Sequence, residues 1–314
     1  MAYSANEKRI LGITSAAHFL THLYELTFPA LALSIRDELG WTLGGVLRLS
    51  FLMYLLYGLG SLPMGVLADR WRARWVVTLG MLGAGAGAVL VALSSTRPQF
   101  VGALALMGLC MSAYHPAGMS LLSRTMRRRG RALGFNGVFG NMGSAMAPFI
   151  AGILAYEIGW RAAYGVLGGV GLCVGLSSLL LSVEERAAAR VAQPPAAGGR
   201  RSVLGLFAIL CVAMMLAGFS YRGVSIVVPA TFREQTTFLA TLLGHLRFER
   251  LEALDNLAAT TLASFVFSMG MLGQIAGGHL ADRHDLRKLY LLFHAASLPF
   301  LIGMAFFGES LLLV

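Results

Sequence analysis

Charge is what this chain has least of. Only 13% of its 314 residues are Asp, Glu, Lys or Arg, and just 15 are acidic. Soluble domains run nearer a quarter charged, which argues against an ordinary cytosolic enzyme. Cysteine is as sparse. Cys110, Cys173 and Cys211 all sit in apolar runs. Their spacing suits neither a zinc site nor a disulfide framework, and they read as small buried residues. The apolar segments contain no G-x-S-x-G, no H-E-x-x-H and no paired aspartates, so nothing supports an intramembrane enzyme. A P-loop is missing too, so ATP is not the expected energy source. No cleavable signal peptide is visible: the start, MAYSANEKRI, is polar and leads into an apolar run too long for a signal core.

What is abundant is apolar sequence. Hydrophobic residues make up 57% of the chain and the mean hydropathy is +0.70. The 38 glycines and nine prolines fit membrane helices, where both residues are common. A bilayer-crossing helix needs about 20 apolar residues. Such segments lie near 10–32, 44–66, 75–95, 99–122, 132–156, 161–182, 203–230, 258–281 and 288–307. The expected class is therefore an all-α, polytopic membrane protein.

With the N-terminus inside, seventeen of the 25 basic residues fall on cytoplasmic pieces, from Lys8 and Arg9 to Arg283, Arg287 and Lys288. That is the positive-inside pattern. It accounts for the formal net charge of +10 without nucleic acid. Membrane lipid is the expected surroundings, and the run from Arg127 to Arg131 can meet acidic headgroups. The expected location is a bacterial inner membrane.

Residues 184–202 hold Pro194, Pro195, Gly198 and Gly199 and read as a cytoplasmic linker. It divides an N-terminal six-helix half (1–183) from a second half (203–314). An internal repeat marks the two halves. Gly65-Val-Leu-Ala-Asp69-Arg70 follows the second segment, and Gly278-His-Leu-Ala-Asp282-Arg283 follows the eighth, each with a basic residue four further on, Arg74 and Arg287. The stretch 231–257 reads as an outer loop carrying a short amphipathic cap. After Ser310, LLLV opens another apolar segment, so the chain reads as stopping inside an element.

Ionisable residues inside a membrane are costly and usually face a cavity. His18, His22 and Glu25 stand at i, i+4 and i+7, on one helical face. Imidazoles beside a carboxylate can trade protons near neutral pH, so this face is a candidate proton relay. The alternative is a Glu25 that is merely hydrated near the outer interface. Arg222 in the seventh segment needs an anion, either substrate or an internal partner such as Glu25. Tyr114, His115, Asn136, Asn141 and Gln274 are candidate substrate contacts, or polar ties between helices. His18, His22, Glu25 and His115 are metal-ligand types, but no cysteine or second carboxylate joins them, and no metal is expected.

The paired G-x-L-A-D-R loops resemble motif A of the major facilitator superfamily. The resemblance implies a cytoplasmic gate of Gly65, Asp69, Arg70 and Arg74, repeated in Gly278, Asp282, Arg283 and Arg287. The usual Gly after D-R-x is here Arg72 or Asp285. Gly134, Gly143, Pro148 and Gly152, with Ala147 and Ala151, follow the spacing of that superfamily's antiporter motif, with Ala for Gly twice. A narrower set is similar to the fosmidomycin-resistance efflux group: His18-Phe-Leu-Thr-His22-Leu-Tyr24, Pro29, Tyr114-His115-Pro116-Ala-Gly118, Arg131-Ala-Leu-Gly134, Tyr221-Arg222 and Val228-Pro229. His22 stands where that group has an acid, and Leu104 where many drug exporters have an Arg.

What the resemblance implies is a twelve-helix, monomeric secondary transporter with no bound cofactor. A proton gradient would drive export of a small anionic or amphiphilic molecule by alternating access. An uptake symporter of organic anions and a non-transporting receptor or scaffold are the alternatives. Nine helices and a stub are visible, so the chain also reads as C-terminally truncated.

Overall fold

The computed structural model describes residues 3–185, 200–235, 251–281 and 284–306. Every regular element among them is a helix: α1 (Ala5–Leu39), α2 (Leu43–Leu49), α3 (Phe51–Arg70), α4 (Ala73–Leu93), α5 (Arg97–Met111), α6 (Tyr114–Thr125), α7 (Arg129–Leu180), α8 (Arg200–Gln235), α9 (Leu251–Ala281) and α10 (Leu286–Phe306). Among the described residues, six helical stretches are long and apolar enough to cross a membrane.

Local chemistry sets the helix ends. Ser4 and Glu7 form a capping box at the start of α1, and Gly40 ends it in the left-handed region. Thr42 caps α2 through the Gly45 amide. Asp285 does the same for α10, accepting from the amide of Arg287 at 2.8 Å.

The spans 44–66 and 99–122 each fall in one membrane-length stretch, Leu43–Arg70 and Arg97–Thr125, with an internal break, and one expectation, on 251–257, needs correction. The segment 44–66 is two helices, α2 and α3, joined at Ser50, whose hydroxyl bonds the Leu47 carbonyl at 2.8 Å. The segment 99–122 is also two, α5 and α6. Pro116 has no N–H, and its ring collides with the carbonyl four residues back, at Ser112, where α5 ends. The segments 132–156 and 161–182 are, as expected, two helical arms, numbered together as α7 and separated at Gly159, whose non-helical φ of 82° glycine tolerates readily. Residues 251–257, read as outer loop, are the first two turns of α9. The rest of that loop, 236–250, lies outside the described residues, as do linker residues 186–199.

The main core runs through α1 to α7 and includes Tyr24, Phe28, Met53, Tyr114, Trp160 and Tyr164. A smaller core joins α8 to α9 through Val228, Phe232, Ala259 and Ala263. Outward-facing side chains are strongly apolar, among them Leu62, Leu180, Leu206, Phe207 and Phe219. In water such a surface would be an aggregation liability, and in lipid it is the expected solvent boundary. Of the cysteines, Cys110 is half-buried, whereas Cys173 and Cys211 are exposed, not buried as their apolar setting implied. Apolar sequence marks lipid-facing and core positions alike.

Candidate functional site

Five helices bring their polar residues to one place. α1 contributes His18, His22 and Glu25, the first and last of them buried. The one-face reading of i, i+4 and i+7 holds. His22 Nδ1 lies 2.6 Å from Glu25 Oε2, and the Nε2 atoms of His22 and His18 lie 3.2 Å apart. α7 contributes Asn136, whose backbone and side-chain oxygens both sit 2.9 Å from His18 Nδ1. α6 contributes Tyr114, which donates to Asn136 Oδ1 at 2.8 Å, and His115, whose ring centroid is 5.4 Å from that of His18 and 5.3 Å from that of His22. α8 contributes Arg222, paired with Glu25 Oε1. α3 contributes Tyr54, which donates to the Glu25 carbonyl at 2.9 Å and lies with its ring centroid 4.4 Å from the guanidinium carbon.

The glycines of α7 permit this approach. A methyl group on Gly140 would strike the His18 ring, and one on Gly143 would strike the Phe19 carbonyl. Gly152 lies in the same way against the Thr260 side chain of α9. Three of the small residues that face α1 and α9 thus act as contact points. Gly134 does not, since nothing lies within 4 Å of a Cβ built there. Pro148 is buried within α7, and the next amide, of Phe149, donates to Ser264 Oγ at 2.7 Å.

Hydrogen-bond counting constrains the protons in this cluster. A backbone carbonyl can only accept, so His18 Nδ1 must carry a hydrogen toward Asn136. Glu25 is held as a carboxylate by Arg222, so His22 Nδ1 must carry a hydrogen too. Two neutral imidazoles would then aim lone pairs at each other across the 3.2 Å gap. One additional cation between the two Nε2 atoms would resolve the conflict, and a proton is the smallest.

Arg222 Nη1 and Asn136 Nδ2 are buried without a hydrogen-bond partner among the described residues. Beside Arg222 a cleft of about 840 Å³ opens between α2, α3 and α8, lined by Tyr54, Tyr57, Phe219 and Ile226.

Asn141, one and a half turns past Asn136, makes no hydrogen bond to the cluster among the described residues. Gln274 and Gly278 fall in α9 where side chains lie outside the described residues, as do Asp282 and Arg283 entirely. Arg287 is exposed and 3.3 Å from Asp285. The first gate loop lies within the described residues. Asp69 pairs with Arg124 of α6 at 2.6 Å, and Arg74 donates to the Ser178 carbonyl at 3.0 Å. Gly65 faces Pro116, and Arg70 is exposed. The carboxylate at the start of α4 is Glu185, which accepts from the amides of Ala73 and Arg74 at 3.0 and 3.3 Å.

At the far end from the N-terminus another tie joins α1 to α8 and α9. Asp37 at the end of α1 meets Arg233 of α8 at 3.0 Å and Asn256 of α9 at 3.2 Å. Sequence reading missed Tyr54, Arg124, Glu185 and the Asp37 tie. Each is an ordinary polar residue whose meaning depends on which helices are neighbours.

The family model described as Major Facilitator Superfamily matches residues 14–314. Among curated relatives, a probable L-galactonate transporter of Escherichia coli is 26% identical over 85% of this chain and 59% of its own length. The fosmidomycin resistance protein of Escherichia coli is 27% identical, but over only 48% of this chain and 37% of its own. That narrower likeness is therefore partial, and the relatives are of several kinds. The chain spans less than two thirds of the length of these relatives. A solved bacterial homologue of the human lysosomal transporter Spinster, inward-facing and occupied, covers 99% of this chain and 70% of its own at 16% identity and a TM-score of 0.65. The shared fold is what that match shows.

Proposed function

The chain belongs to the major facilitator superfamily, and from that premise we propose that it is a secondary transporter, a proton-coupled antiporter that exports a small organic anion. It works by alternating access, as a monomer in a bacterial inner membrane with its N-terminus cytoplasmic, and it uses the proton gradient with no bound cofactor. Membership in a family of transporters sets the class, not any enzyme chemistry.

The observation that carries the proton coupling is the continuous contact line Arg222–Glu25–His22–His18–Asn136. Its two imidazoles need one extra cation to satisfy their hydrogen bonds. The unpartnered Arg222 Nη1 favours an anionic substrate such as a carboxylate or phosphonate. An incoming anion competes with Glu25 for Arg222, which links substrate binding to the state of the Glu25–His22 pair. The match of Gly143, Pro148 and Gly152 to the antiporter spacing supports export over uptake. The Asp37 tie closes one end of the halves while Asp69 stays paired within its own half, an arrangement suited to rocking about a midplane site.

The test is flux in proteoliposomes with a trapped pH dye, with L-galactonate and a small alkylphosphonate as probes. Proton movement opposite to substrate is expected, abolished by Glu25→Gln and by Arg222→Ala. Movement in the same direction would make it an uptake symporter, and binding without flux a receptor.

A further inference from the structure

We propose that His18, His22 and His115 form a binding site for a divalent transition-metal ion of the Zn²⁺ class, with Glu25 and Asn136 orienting the ligands. The ligand nitrogens of the three histidines all lie within 4.8 Å of one another. Two of them are already at metal spacing. Zn–N bonds of 2.0–2.1 Å in a tetrahedron put ligand nitrogens about 3.3 Å apart, and the Nε2 atoms of His18 and His22 are 3.2 Å apart. Rotation of the His115 side chain brings the third ligand in, leaving a fourth position open on the side where His22 is 22% exposed.

The outer partners fit as well. Metal-ligating histidines almost always donate their second N–H to a carboxylate or a carbonyl, which fixes the tautomer and aims the other nitrogen at the ion. His22 does this to Glu25, and His18 does it to Asn136. Both remaining Nε2 atoms are therefore left with lone pairs, 3.2 Å apart. Three neutral imidazoles select a borderline-soft ion over Mg²⁺ or Ca²⁺, which take oxygen ligands. The lack of a cysteine or second carboxylate, which argued against a metal from sequence, does not count against a three-histidine site with an open position.

This inference shares residues with the proton relay, and a bound ion would occupy the place of the shared proton. Its test needs no gradient and no substrate, so the two readings can fail separately. Tag-free protein in detergent is titrated with Zn²⁺ by calorimetry, and the Zn²⁺-loaded protein is examined by X-ray absorption. One ion per chain is expected, with imidazole nitrogens near 2.0–2.1 Å. Affinity should fall about 10- to 100-fold in Asn136→Ala, as for loss of an orienting partner. It should fall further in His18→Ala and His115→Ala and be unchanged in His284→Ala. Absence of stoichiometric binding by the unaltered protein would overturn the proposal without any variant having to fold. Binding that survives the His18→Ala/His22→Ala double variant would overturn it too.

Discussion

The Glu25–Arg222 pair gives the sharpest quantitative prediction. Glu25 is 4% exposed and Arg222 24% exposed. Removing one member of a buried pair costs about 3–5 kcal/mol, because the other charge is left without its partner. The partial exposure of Arg222 places this pair near the lower figure. The two single changes are not equivalent. Arg222→Gln leaves Glu25 with His22 still 2.6 Å away. Glu25→Gln leaves Arg222 with no carboxylate among the described residues and with the Tyr54 and Tyr221 rings beside it. Glu25→Gln should therefore destabilise by about 3 kcal/mol and Arg222→Gln by less. The double variant should recover much of the loss, with a coupling energy of about 1–3 kcal/mol. Equilibrium unfolding in detergent measures all three. Additive losses in the double variant, or a milder effect of Glu25→Gln than of Arg222→Gln, would refute the reasoning.

Three further outcomes follow from the same contacts. Gly143→Ala forces the new methyl against the Phe19 carbonyl and should cost about 1–3 kcal/mol, whereas Gly134→Ala, in open space, should be nearly neutral by thermal unfolding. Glu7 is held below the usual carboxylate range by the Arg127 amide first and the Ser4 amide second. Its contribution to stability is present above the ordinary carboxylate pKa and is lost as pH falls through the lowered value; Glu7→Gln should flatten that acid limb of the unfolding profile. Asp37→Ala removes the tie to Arg233 and Asn256, so spin labels on α1 and α8 near that end should report a larger share of separated distances; an unchanged distribution would show that the tie does not hold the halves.

Much of this was readable before any coordinates. The spans emerged because lipid allows few ways to satisfy a backbone. The face of His18, His22 and Glu25 emerged because helical spacing is local. Pairing of Arg222 with Glu25 was one of two partners the sequence offered, since a buried guanidinium demands an anion. The break at Pro116 was signalled by the missing N–H, yet the segment still read as one span because its composition stays apolar. The break at Ser50 carried no such signal.

What the sequence hid was adjacency. Asp69 belongs to a motif that names it, but its partner Arg124 lies 55 residues on, and Asp37 meets Arg233 196 residues on. Glu185 looked like part of a linker and instead sits at the start of α4. Asn136 looked like one of two equivalent asparagines. Only its position beside His18 and Tyr114 separates it from Asn141.

The central claim is that proton and anion movements are coupled through Glu25 and Arg222. Counterflow in proteoliposomes tests it most directly: an outward-directed gradient of a small organic acid is imposed, and the internal pH dye is followed in the unaltered protein and in Glu25→Gln. The account predicts that substrate exit drives proton entry in the unaltered protein, and that neither moves in the variant. Full substrate exit with no proton movement, or unchanged proton entry in Glu25→Gln, would contradict it.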